Sequence, residues 1–513
     1  MREVITVQVG QAGNQLGYRF WEKAYREHRE YSAGVFDAAT SAFFRQVDDS
    51  GADVPVGRGG RGSPLQGALK ARSVIVDMEE TVVNALVRGP LGGLFDAQQL
   101  IRGSGAAEGS GSGNNWAVGH CQYGPQYREE LIETVRRPAE ACDSLQGFFL
   151  LHSLGGGTGS GLGTYILRML EDEFGEPWRF SVPIFPSADD DVVTSPYNSV
   201  LALHQLSQHA DCVIPVENEA LLRMAAPFAA NPLNSQSVGL EGGAEAKGRK
   251  GVGVQGRRSS DVFSAMNDIA ASMFLNLTAS ARFDGMLNVD LNEVCMNLVP
   301  FPGMHYLVGS LTPSPLLVHA GRRANVAGQV PRNLDQLMND AFRPESCLVS
   351  GNPRQGTYLA CALMFRGAVD VSDVTRGVLK IRNHLRVPSW SADGFKVGLC
   401  AKPSLGAPAS LLCLSNNTCL AQTFQAMVDR FAKLYQRRVY AHHYEGAMGH
   451  AELEDAFESA LNNAKALSDL YRKHDTGELP GSWGDARPRG DRSMRFAPRY
   501  TTTHDGDVVP FFS

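Results

Sequence analysis

The chain has 513 residues, 43% hydrophobic and 20% charged, with a formal net charge of -6. That length buries a large core in two or three domains, while so weak a negative charge excludes general attraction to nucleic acid. Nine cysteines without C-x-x-C spacing exclude a zinc or disulfide framework, and no apolar run reaches the roughly 20 residues of a membrane span. The first residues, Met1-Arg2-Glu3-Val4-Ile5-Thr6, lack a charged stretch followed by an apolar one, which predicts a cytoplasmic protein with no membrane partner.

In chain order, β-rich runs at 3–9, 73–77, 148–151, 180–185 and 212–216 alternate with helical patterns, predicting an α/β fold with a parallel sheet. Ligands of such sheets bind beyond the carboxyl ends of the strands, so the residues after each run are candidates. The first run delivers Gly10-Gln11-Ala12-Gly13-Asn14-Gln15, a glycine turn that opens a helix. The second ends in Asp77-Met78-Glu79-Glu80, acids suited to magnesium and its waters, or else ordinary surface acids. Gly111-Ser112-Gly113-Asn114-Asn115-Trp116 follows as an Asn-rich turn able to donate to a phosphate.

The third run leads into Gly155-Gly156-Gly157-Thr158-Gly159-Ser160-Gly161 and then a helical pattern at 162–174. Strand, glycine loop and helix start make an anion cradle, because glycines admit close approach and the first helical N–H groups point at the ligand. Neither the P-loop lysine nor the G-x-G-x-x-G spacing is present, and a flexible linker is the alternative. After the fourth run, Pro186-Ser187-Ala188-Asp189-Asp190-Asp191 suits a ribose, although Asp191 can instead cap a helix. After the fifth, the chain enters the side of the sheet where a base would lie.

Apolar periodicity lapses at 225–260, which predicts a long basic insertion carrying Lys247, Arg249, Lys250, Arg257 and Arg258. A helical pattern at 263–280 and β-like runs at 304–310 and 358–365 predict a second α/β domain. Helical spacing at 424–435 and 453–467 predicts two closing helices, and the Gly-, Pro- and Arg-rich segment 479–513 a disordered tail. The expected organisation is a nucleotide-binding domain at 1–224, an insertion at 225–260, a central helix and second domain at 261–412, helices at 413–478 and a tail at 479–513.

Together, Gly10-Gln11-Ala12-Gly13-Asn14-Gln15, Ser112-Gly113-Asn114-Asn115-Trp116, the 155–161 loop, Pro196-Tyr197-Asn198 and Leu298-Val299-Pro300-Phe301-Pro302 resemble the tubulin family over most of residues 1–480. Within it the chain most resembles the epsilon branch, on Phe43-Phe44-Arg45, Ser195-Pro196-Tyr197-Asn198, His209-Ala210-Asp211-Cys212 and Asn416-Asn417-Thr418-Cys419. The resemblance implies a tubulin-type GTPase domain, a central helix, an α/β intermediate domain and a C-terminal helical hairpin. It implies GTP or GDP with Mg2+ as ligands.

By that resemblance, Gly10, Gln11, Ala12, Gln15, Asn114, Ser153, Gly155, Gly156, Gly157, Thr158, Gly159 and Ser160 surround the phosphates. Asp77 and Glu79 meet magnesium through water, Asp191 the ribose, and His209, Phe263 and Asn267 the guanine, with Phe263 stacked on it. Two departures stand out: Ser195 where alpha and beta chains carry a ribose-contacting Glu, and His209 where they carry a guanine-contacting Asn.

Asp290 and Glu293 open a predicted helix, where acids favour the positive end of the dipole. The family resemblance implies a second role, in which Glu293, supported by Asp290, acts on the GTP of the neighbouring subunit. It also implies other tubulins (alpha/beta, delta) and centriolar proteins as partners, and a place in the cytoskeleton at centrioles, centrosomes or basal bodies. There it would form or maintain doublet and triplet microtubules. A non-hydrolysing adaptor or cap of microtubule ends is the alternative, and a metabolic enzyme finds no second substrate motif. His442, His443 and His450 are weighed as metal ligands and read as packed or surface residues.

Overall fold

Strand β1 (Glu3–Val9) is buried at all seven positions, as expected of a strand covered on both faces. In the computed structural model, which describes residues 2–32, 35–48, 53, 63–64, 68–103, 111–187, 190–229, 254–316, 333–391, 394–476, 500–502 and 508–510, it is the centre of a parallel sheet. The other members are β2 (Ser73–Asp77), β3 (Leu100–Arg102), β4 (Leu145–Ser153), β5 (Trp178–Phe185), β6 (Cys212–Val213) and β7 (Val216–Glu217). Their order is β3-β2-β1-β4-β5-β6, with β7 also on β5. The direction of winding reverses between β1 and β4, which opens a crevice at their carboxyl ends.

Helix α1 (Gly10–Tyr31) follows β1, α2 (Gly163–Glu173) follows β4, and α3 (Ser195–His209) returns from β5 to β6. After β7 come α4 (Asn218–Ala229) and the central helix α5 (Val254–Leu277). Helix α5 lies along α1, with Arg19 bonded to Ser264 and Lys23 to Ser272, at 2.6 and 2.8 Å. Phe274 of α5 meets Phe20 of α1 and Phe149 of β4 at ring distances of 4.2 and 4.6 Å, so apolar packing joins helix pair and sheet.

Helix α6 (Leu291–Leu298) precedes a second sheet of β8 (Val308–Thr312), β9 (Tyr358–Gly367), β10 (Phe395–Cys400) and β11 (Ala409–Asn417), in the order β8-β11-β9-β10. Only the β9/β10 pair is parallel. The closing helices, α7 (Leu420–Tyr435) and α8 (His450–Lys473), pack through Phe431 and Phe457 onto Tyr197 of α3.

Several expected boundaries move. The 412/413 division falls inside β11, so the second sheet continues to Asn417 before the hairpin begins. Helix α4 runs to Ala229 and α5 starts at Val254, so both ends of the expected insertion 225–260 are helical, with Arg257 and Arg258 inside α5. Lys247, Arg249 and Lys250 lie outside the described residues. Residues 1–477 form one compact unit. Within the expected tail, Tyr500–Thr502 and Val508–Pro510 pair as antiparallel strands, while its arginines lie outside the described residues.

Candidate functional site

The carboxyl ends of β1 and β4 each release a glycine turn, and the two turns touch. Gly10 has φ +73, and a Cβ there would stand 3.1 Å from the Gly159 nitrogen. Gly159 in turn has no room for a side chain, since a Cβ would lie 2.8 Å from Ser153 Oγ and 2.9 Å from Ser153 N. Glycine is thus required on both sides by backbone proximity. Helix α1 starts with neither a side-chain cap nor an acid in its first turn, which leaves its positive end for an anionic ligand. Gln11 and Gln15 are exposed there, and Ala12 is half-buried.

The Asn114 turn closes over the same loop. Gly113 and Asn114 both have φ +53, and Ser112 Oγ lies 2.8 Å from Thr158 Oγ1. Asn198, in the first turn of α3, donates its amide to the carbonyls of Asn114 and Gly155, each at 2.8 Å, and its Oδ1 accepts from Trp116 N–H at 2.9 Å. One buried side chain therefore fixes two candidate phosphate loops. Sequence reading used Asn198 only as part of a family motif; the missed signal is an amide in the first turn of the helix, ahead of the apolar run 200–203.

Residues Thr158–Leu162 wind as a single wide helical turn that runs into α2. Ser160 Oγ donates to the Gly156 carbonyl, and Thr164 Oγ1 to that of Ser160 at 2.7 Å. Behind the loop, His152 is fully buried, and burial lowers its imidazole to about 4. The neutral ring donates Nδ1–H to the Gly159 carbonyl at 2.8 Å and accepts at Nε2 from Ser181 Oγ at 2.9 Å, because a carbonyl can only accept.

No Lys or Arg stands in the 10–15, 111–116 or 155–161 loops, so a polyphosphate bound here would meet backbone N–H groups and helix ends. Asp77 ends β2 beside the end of β1, with Val9 paired to Val76. Its Oδ1 accepts from Glu79 N–H at 3.2 Å, whereas Oδ2 is buried with no hydrogen-bond partner among the described residues. Burial raises this carboxyl to about 6. An orphaned carboxylate oxygen fits a hydrated magnesium, and Glu79 is exposed next to it. Among the described residues no group of three or more His, Cys, Asp or Glu could hold a metal by itself; His450 instead pairs with Glu445 at 3.1 Å.

On the ribose side, Asp191 is exposed, whereas half-buried Asp190 faces the loop, its Oδ2 3.5 Å from a Cβ built on Gly155. Ser195 Oγ lies 3.3 Å from the same point. Phe263 and Asn267 sit one turn apart on α5, next to Ser264 and Asp268, which Arg19 and Lys23 of α1 reach; Phe263 is 57% exposed and open to stacking.

His209 is not in this constellation. It ends α3, about 21 Å along the helix from Ser195, and its carbonyl accepts from Arg179 Nε, at the start of β5, at 2.9 Å. Its Nδ1 lies 2.6 Å from Glu171, near the far end of α2. A helix returning to the next parallel strand must end at the amino edge of the sheet, which removes His209 from a ligand at the carboxyl edge. Asn218 occupies that edge instead: β7 pairs with Ile184 and Phe185, the last residues of β5, and Asn218 opens α4 directly afterwards. The signal was an amide straight after the fifth run.

Asp290 and Glu293 also lie at the amino edge. Asp290 caps α6, its Oδ1 accepting from Glu293 N–H at 2.8 Å, and its Oδ2 pairs with Arg2 at 2.7 Å. Arg2 precedes β1 while Gly10 follows it, so about 25 Å of strand separates these acids from the glycine loops. The helix-capping reading holds for Asp290. Glu293, 39% exposed, pairs with Lys396 of β10 at 3.0 Å.

Sequence comparison agrees with this architecture. The Tubulin/FtsZ family GTPase domain matches residues 3–226, and the tubulin C-terminal domain matches residues 302–429. The chain is 45% identical to the tubulin epsilon chain of Mus musculus over 94% of its length and 98% of that protein, and equally so to that of Homo sapiens. Identity falls to 33% with a tubulin beta-2 chain of Suillus bovinus, over 92% of this chain and 96% of that one. With strand order, glycine loops and sequence in accord, the chain belongs to the tubulin family, with its strongest likeness among these to the epsilon chains, and is a GTP-binding cytoskeletal protein.

Proposed function

We propose that this chain holds GTP at the carboxyl edge of its sheet and completes the GTP site of a neighbouring subunit from the opposite edge. The observation that carries the reading is the separation of the two sets of groups by the length of β1: Asp290 is bonded to Arg2 before the strand, and Gly10 follows it. Glu293 is out of reach of its own chain's nucleotide. In a longitudinal stack it faces the next one, where its carboxylate orients and polarises the attacking water and Asp290 holds the helix start. Exposed Met286 and Met296 flank this surface and favour docking that excludes water.

Within the nucleotide site, Gly10, Gln11, Ala12, Gln15, Asn114, Ser153 and the 155–160 loop surround the phosphates. Asp77 and Glu79 would hold magnesium through water, and the metal would offset phosphate charge. Asp190 or Asp191 meets the ribose, and Phe263, Asn267 and Asn218 meet guanine. Kinship with the epsilon chains supports partnership with alpha/beta and delta tubulins and with centriolar proteins. The corresponding place is the centriole, centrosome or basal body, in forming or maintaining doublet and triplet microtubules.

GTP turnover in mixtures with alpha/beta-tubulin or delta-tubulin, compared for the natural chain and Glu293→Ala, tests the reading; turnover that is unchanged in every mixture defeats it. The alternative is an adaptor that never hydrolyses GTP. Chromatography of the nucleotide released on denaturation separates the two, because an adaptor retains GTP after incubation with its partners.

A further inference from the structure

We propose that Lys396 is a positioning residue for Glu293, engaging one carboxylate oxygen so that the other is presented to the neighbouring subunit. The inference rests on the reading of Glu293 as a carboxylate acting in trans.

The geometry is built from two elements held in register. Leu399 N–H donates to the Leu287 carbonyl at 2.8 Å, which ties the segment leading to α6 onto β10. Val289 packs over Gly398, where a Cβ would stand 2.9 Å from its methyl, so a larger residue would lift the segment away. Lys396 lies in the same strand, two residues before Gly398, and its Nζ is 3.0 Å from Glu293 Oε2.

That oxygen is enclosed by protein and has no directed hydrogen bond among the described residues, whereas the side chain as a whole is 39% exposed. The ammonium therefore holds the inner oxygen and leaves Oε1 on the open side. The backbone of Glu293 is fixed as well, its N–H by Asp290 and its carbonyl by Asn297 Nδ2 at 2.7 Å. A half-exposed ion pair contributes little to stability, so its placement at an interacting surface calls for another use. Orienting a carboxylate before the substrate arrives is such a use, since a rotating side chain would otherwise be ordered during the reaction.

The test is a double-mutant cycle in the assembly mixture where the natural chain supports turnover, with rates normalised to sedimented subunit. Lys396→Met is expected to lower turnover about tenfold while leaving the nucleotide KM unchanged, and Lys396→Arg to restore it. In a Glu293→Gln background, Lys396→Met is expected to cause no further loss. Full turnover by Lys396→Met, or an equal additional loss in the Glu293→Gln background, overturns the inference while leaving the role of Glu293 intact. Full turnover by Glu293→Gln overturns both. Should Lys396→Met fail to sediment with its partner, Lys396→Gln takes its place under the same criteria.

Discussion

Tyr444 donates its hydroxyl to Asn198 Oδ1 at 2.6 Å, across 246 residues of sequence, while the amide of Asn198 holds the carbonyls of Asn114 and Gly155. The segment between the two closing helices is thereby bonded to the side chain that spaces the phosphate loops. Asn115 Nδ2 adds a second link, donating to the His443 carbonyl at 2.9 Å.

Asn198→Ala removes both loop contacts; the Asn114 carbonyl keeps Thr194 Oγ1 at 2.8 Å, but the buried Gly155 carbonyl and Trp116 N–H lose their partner, a cost of about 1–3 kcal/mol. GTP affinity is expected to fall roughly tenfold by calorimetric titration. Tyr444→Phe, which keeps the amide bonds, is expected to lose less than Asn198→Ala; an equal or greater loss would mean that the phenol matters by another route.

The placement of His209 and Asn218 at opposite edges separates two substitutions that sequence reading does not. His209→Ala is expected to leave GTP affinity and selectivity over ATP unchanged. Asn218→Ala is expected to weaken GTP about tenfold or more through loss of an amide contact to the base. Competition binding with both nucleotides checks the pair.

Three buried imidazoles make stability depend on acid. Burial lowers His152 and His305 to about 4 and His120 to about 3, against an ordinary 6.5. Below pH 6.5 the unfolded chain takes up protons that the folded chain refuses, so stability declines as pH falls, until each folded value is reached. Each imidazole contributes about 1.4 kcal/mol per pH unit in that window. His152→Gln is expected to flatten the dependence by that amount between pH 6.5 and pH 4, read from urea midpoints.

Glu27 is the sole anion in a fully buried charged cluster among the described residues. It pairs with Arg282 at 2.7 Å and with Arg366 of β9 at 3.0 Å, both guanidinium groups being as buried as the carboxylate. Glu27→Gln keeps the shape but leaves two cations uncompensated, an expected loss of about 3–5 kcal/mol. Urea denaturation measures it. Lys402→Ala, at the surface, serves as the near-neutral comparison.

The strands at 3–9 and 73–77 are found at the limits expected from their runs, because each is rich in β-branched residues and ends at a glycine or an acid. Strand β3 escaped, since Leu100–Arg102 is three residues long and carries no period. The break between α4 and α5 is narrower than composition suggests, because Gly, Ser and Arg at 254–260 mask a helix stabilised by packing further along α5.

Sequence by itself determined the glycine loops, the strand-and-helix alternation and the family, because these rest on short-range spacing and on the backbone freedom of glycine at positions such as Gly10 and Gly159. Tertiary structure alone decided which edge of the sheet each polar residue reaches. His209 and Asn218 are nine residues apart yet stand at opposite edges, since β6 and β7 intervene. Glu293 and Lys396 are distant in sequence yet ion-paired, since strand register joins the segment before α6 to β10. The direction of a strand and the register of a sheet are set by long-range hydrogen bonding, which no local pattern of residues encodes.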